Sequence, residues 1–243
     1  MTVDDITEYG RETDADSEAA ANVSGRGVGV TDRTWRRLGH ELTNARSIAD
    51  FVRTVERYGW TPPLLALTLL GGVRGVFEYL SEPFAMSQGY VFAGWQLALG
   101  INLLYGLFFV GFVCFLYFGV AGAIAGHLSE ETAMETAMFK VGGYLMLLFV
   151  PVVIVSAALA ATIPAPEIVV AGAEPVSEVV ASHEAVADSP QMRVVGTMMA
   201  GVWILVGFLL LPVVSELYGI DKKQSVLSVL PVTLVAVVAT QLL

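Results

Sequence analysis

The stretch TPPLLALTLLGGVRGVFEYL, residues 61–80, sets an arginine and a glutamate, Arg74 and Glu78, four residues apart in an otherwise apolar run. A helix needs about 20 mostly apolar residues to cross roughly 30 Å of hydrocarbon, and this run is that long. The remainder of the sequence decides whether lipid is its surroundings. Hydrophobic residues make up 55% of the chain, charged residues only 15%, and the mean hydropathy is +0.68, which is extreme for a soluble protein. Apolar runs of membrane-spanning length recur at about 62–80, 98–125, 141–163, 194–214 and 225–243. Breaks separate them: TPP at 61–63, HLSEE at 127–131, PAPE at 164–167 and YGIDKKQ at 218–224. The runs are continuous rather than alternating over about ten residues, so helices fit and a barrel does not. The expected fold is all-α: a polytopic membrane protein of five transmembrane helices, over 61–243.

The basic residues orient these helices. Eight arginines precede the first span, Lys140 ends the loop between spans two and three, and Lys222 and Lys223 lie between spans four and five. By contrast 81–97 has no Lys or Arg, and 164–193 has only Arg193 against five acidic residues. Because positive charge stays on the cytoplasmic side, the amino terminus is expected in the cytoplasm and the carboxyl terminus outside. An odd number of spans requires the same.

Before the first span the chain divides in two. Residues 1–30 carry seven acidic side chains in the first eighteen and end in GRGVGV, so they are expected to form a disordered acidic tail. GRGVGV is not a phosphate loop, since no Gly-Lys-Ser/Thr follows it. No apolar core flanked by basic residues opens the sequence, and the first span is expected to direct insertion. Residues 31–60 read as an amphipathic juxtamembrane segment. Ile48, Phe51, Val52 and Val55 fall at i, i+3, i+4 and i+7, with Asp50, Arg53, Glu56 and Arg57 opposite. Ser47 has the position of an N-cap, and Thr61 that of a cap for the next helix ahead of Pro62 and Pro63. The segment suits the headgroup layer as an interfacial helix, or packing on the cytoplasmic ends of the spans.

A charge at the bilayer centre costs about 2.5–3.5 kcal/mol on insertion scales. Arg74 lies about twelve residues into its span, roughly 18 Å at 1.5 Å per residue, and Glu78 one turn further toward the outside. At i,i+4 they share a helix face and can neutralise each other. This intramembrane pair is either a structural lock facing the bundle or a functional polar site between spans. The scarcity of ionisable groups in the other spans favours the lock. Small residues mark candidate packing surfaces: Gly122 and Gly126 in the second span, Gly142 and Gly143 in the third, Gly196 with Ala200 in the fourth.

Enzymatic chemistry finds no support. His40, His127 and His183 lie in the tail and loops, and Cys114 is the single cysteine, so neither metal-ligand spacing nor an internal disulfide exists. Glu130 and Glu131 open a Glu-Glu-x3-Arg pattern, but position 135 is Glu and no intramembrane His follows. There is no Gly-x-Ser-x-Gly. No catalytic residue, cofactor or metal is expected. A net charge of -10 argues against nucleic acid, and ten Arg against three Lys is a balance expected of a halophilic archaeon.

A cytoplasmic tail, an amphipathic stretch running into the first of five spans, and GGYLMLLFVP with Gly143, Tyr144 and Pro151 together resemble the Yip-domain family, in a distant archaeal or bacterial-type member. YGIDKKQSVLSVLP, with Lys222, Lys223 and Pro231, is similar to that family's last connection. The acidic Asp-Leu-x-Gly-Pro motif of eukaryotic members is absent. The resemblance covers about 45–243 and implies a non-enzymatic membrane scaffold or trafficking factor, with a Rab- or Ypt-like small GTPase or other membrane proteins as partners and homo-oligomers possible. Two alternatives stand beside it. One is a permease-like transporter subunit with a separate ATPase docking at 127–140; the other is an oligomeric small-solute channel around Arg74.

Overall fold

The computed structural model describes residues 32–45, 47–87, 90–92, 94–129, 135–164 and 175–242. The tail expected to be disordered, 1–30, lies outside them. Helix α1, Asp32–Thr43, belongs to a first compact unit ending at Asn44, and residues 45–243 form a second. The boundary therefore falls inside the 31–60 segment rather than at its end.

In the second unit α2 (Ile48–Tyr58) leads into α3 (Thr61–Ser81) and a two-stranded hairpin, β1 (Ala85–Ser87) and β2 (Tyr90–Phe92). Helices α4 (Trp95–Leu128), α5 (Thr136–Leu145) and α6 (Phe149–Ala160) follow; a three-residue 3-10 turn, Met146–Leu148, joins the last two into one span. A short helix α7 (Pro175–Ala187) precedes α8 (Pro190–Tyr218) and α9 (Lys222–Leu242). Among the described residues five helices are long and apolar enough to cross a membrane: α3, α4, the α5–α6 span, α8 and α9. The chain is an all-α polytopic protein.

Local chemistry explains where the helices start. Ser47 Oγ accepts the Asp50 amide at 3.1 Å, capping α2 as its position indicates. Thr61 is not a cap: Trp60 holds that position without a side-chain bond, and Pro62 and Pro63 occupy the first turn, where no amide partner is needed. Asp221 and Gln224 exchange side-chain and amide bonds at 2.7 and 3.1 Å before α9. The third span changes to 3-10 geometry just ahead of Pro151, whose ring removes the amide that would bond the Leu147 carbonyl.

The spanning helices pack in a closed order, α3, α4, α9, α8, the α5–α6 span and α3 again, and α4 also reaches across to the α5–α6 span and to α8. Aromatic rings fill the centre. Tyr117 lies 4.7 Å from Trp203 and Trp203 lies 4.6 Å from Phe149, between centroids, while Phe118, Val206 and Leu210 are fully buried. The polar atom in this centre is satisfied: Tyr117 Oη meets Thr233 Oγ1 at 2.7 Å, and Thr233 in turn donates to the Val229 carbonyl. Two further bonds hold α9 near its ends, from Gln224 to the Leu128 carbonyl at 3.3 Å and from Gln241 to the Gly196 carbonyl at 3.0 Å.

Helix α2 packs on the start of α5 and on α8, burying Val52 and Val55 and leaving Arg53, Glu56 and Arg57 exposed. The opposite end of the bundle carries the hairpin, tied to α4 by Asn102 donating to the Phe84 carbonyl at 3.1 Å and Tyr105 to the Met86 carbonyl at 3.3 Å.

Candidate functional site

Helix α3 carries Arg74 and Glu78, and its contact with α4 decides their surroundings. The two backbones almost touch. A Cβ on Gly75 would lie 2.5 Å from the Leu103 Cα and 2.6 Å from the Asn102 carbonyl oxygen; one on Gly71 would lie 2.8 Å from the Leu107 Cα. One on Gly106 would strike the Gly71 carbonyl and the Gly75 amide. Only glycine allows this approach.

Arg74 sits beside that crossing. Its guanidinium forms an ion pair with Glu78 and lies 4.9 Å from the Phe77 ring centroid and 5.2 Å from that of Phe109. Ring faces are negative, so two rings and a carboxylate compensate one cation. The side chains of Arg74 and Glu78 are 25% and 36% exposed, so the pair occupies the rim of the α3–α4 seam. The glycine crossing closes the interior of the seam, and a long side chain fits only at its edge.

One turn beyond, Glu82 closes α3, and its Oε1 lies within hydrogen-bond distance, 2.7 Å, of His183 Nδ1 on α7. Burial raises the Glu82 carboxyl above its ordinary value; His183 draws it down, and Glu78 pushes it further up. This contact joins residues 101 positions apart, and no sequence spacing announces it.

The remaining candidate residues are spread through the bundle. Gly122 and Gly126 are buried on α4. Gly142 lets the Phe118 ring approach, where a Cβ would lie 2.5 Å from it, and Gly143 lets α5 meet Pro63 at the start of α3. Tyr144 has a buried hydroxyl without a partner, while Pro151 is exposed two turns on. The structure places Gly143, Tyr144 and Pro151 along one span and does not gather them with Arg74 and Glu78 into one site. Among the described residues no three His, Cys, Asp or Glu side chains come together as a metal site, and Cys114 is buried with a free thiol.

Fold and site together define the class: a multi-pass helical membrane protein, with an ion pair at a glycine-tight helix crossing. Compared with family models, curated proteins and solved structures, the chain matches none of them.

Proposed function

We propose that this chain is a non-enzymatic membrane scaffold of the Yip-domain type, inserted with the α2 end in the cytoplasm and the hairpin end outside. The observation that carries this reading is the filled centre, in which Tyr117, Phe118, Phe149 and Trp203 occupy the space a solute path needs. Helix α2 supports it as well. It is fixed to the bundle by Val52 and Val55 and holds a charged face clear of the spans, a surface suited to a protein partner such as a small GTPase. Lipid covers the exposed rings of Phe108 and Phe112.

Reconstitution tests the reading. Vesicles holding the purified protein are expected to release a trapped small solute no faster than empty vesicles. Release that is fast, and abolished by Arg74→Ala, would replace the scaffold by a channel.

Orientation has its own measurement. In a Cys114→Ala background, Ala185→Cys on α7 is expected to react with an impermeant maleimide added outside cells, and Lys223→Cys only after the membrane is opened. The reverse pattern inverts the topology.

A further inference from the structure

We infer that α7 is a latch over the hairpin end of the bundle, fastened by the Glu82–His183 contact and loosened by a rise in pH. Glu82 terminates a spanning helix and its side chain is only 18% exposed, whereas His183 is 65% exposed on a short helix. A largely buried carboxylate needs a charged partner. The nearest cation on its own helix, Arg74, is already engaged by Glu78, and Glu78 repels Glu82. The partner left is His183, which supplies charge only when protonated. Among the described side chains the other ionisable groups on the adjoining elements are Tyr79 on α3, Tyr90 on the hairpin, Tyr105 on α4, Glu184 on α7, Asp188 after it and Arg193 on α8; those that act on Glu82 are His183 and Glu78.

The sign follows from both partners. A carboxyl whose folded value is raised favours the folded state when protonated. Its contribution is complete below the unfolded value and is lost as pH rises through the folded one. Further deprotonation, at the imidazole, removes the cation that still compensated the ionised carboxylate. Both changes loosen the contact as pH rises, so the latch is compared at a lower and a higher pH. The buried face of α7 carries Val186, 5% exposed, and Ser182, whose buried hydroxyl has no partner. Opening the latch presents a different surface to whatever approaches the hairpin end. The inference is independent of the scaffold reading.

The test is maleimide labelling of the purified full chain in detergent, in a Cys114→Ala background. The rate at Val186→Cys is divided by the rate at the exposed Ala185→Cys, which cancels the thiol's own response to pH. The ratio is expected to rise about tenfold between pH 6 and pH 8, the size of one hydrogen bond to a charged group. Glu82→Gln and His183→Gln should make it independent of pH, and His183→Lys, a permanent cation, should keep it low at both. A ratio unchanged with pH in the parent overturns the latch. So does a pH response that persists in Glu82→Gln, or a His183→Lys protein that labels like His183→Gln.

Discussion

Gly75→Ala is expected to cost about 2–3 kcal/mol and Gly75→Leu to leave no cooperatively folding bundle, while Gly72→Ala, three residues earlier on the same helix, leaves stability unchanged or raises it by up to about 1 kcal/mol. The contrast rests on what a new methyl group meets. At Gly75 it meets the α4 backbone, the Leu103 Cα at 2.5 Å and the Asn102 carbonyl at 2.6 Å, and backbone cannot rotate aside. At Gly72 nothing lies within 4 Å, so only the gain in helix propensity over glycine remains. Separating α3 from α4 also pulls Asn102 away from the Phe84 carbonyl and disturbs the hairpin, so the loss should spread beyond one contact. Melting temperatures in detergent check the series. Equal melting temperatures for Gly72→Ala and Gly75→Ala would show that the two helices do not cross here.

Removing Glu78 is expected to do more damage than removing Arg74. Glu78→Ala leaves a guanidinium that cannot lose its charge, held in the apolar seam by the Phe77 and Phe109 rings alone. Arg74→Ala leaves a carboxyl three residues from the helix end, which can neutralise itself by taking a proton or reach the headgroup layer. Breaking a fully buried pair costs 3–5 kcal/mol; with both side chains at the rim the expected losses are about 2 kcal/mol for Glu78→Ala and about 1 kcal/mol for Arg74→Ala. Replacing both by leucine should recover part of the larger loss, because no charge is left without a partner. Melting temperatures of the three variants decide between this coupled behaviour and simple addition of two independent losses.

The five spans were legible because apolar length alone sets them, and their edges shifted where polar residues continue a helix past the apolar run. The second span begins at Trp95 rather than near 98, and the third at Thr136 rather than 141. The ion pair was legible because i,i+4 spacing brings two side chains together whatever the fold. Its aromatic shell was only half visible, since Phe77 is local but Phe109 comes from another helix. The tightest crossing was missed. Gly71, Gly75 and Gly106 are no more conspicuous in the sequence than Gly122 and Gly126, and which glycines meet depends on how the helices rotate against each other. Residues 164–193, read as a loop, contain α7, whose thirteen residues are too short and too mixed in polarity to declare themselves. The hairpin was hidden for a similar reason: its three-residue strands are held by side chains of α4 more than by their own pattern.

The length of α4 sets how the protein meets a bilayer of given thickness. Its 34 residues extend about 51 Å at 1.5 Å per residue, against a hydrocarbon layer of about 30 Å. Tilt alone does not absorb the excess, since fitting 51 Å into 30 Å needs more than about 50° and spanning helices rarely pass 40°. Part of α4 therefore stands clear of the hydrocarbon. The turns from Trp95 to Tyr105 hold the hairpin through Asn102 and Tyr105, so the hairpin rides on the first three turns of α4. A thicker membrane would draw that end of α4 inward at little cost, because the hairpin strands, Ala-Met-Ser and Tyr-Val-Phe, are mostly apolar.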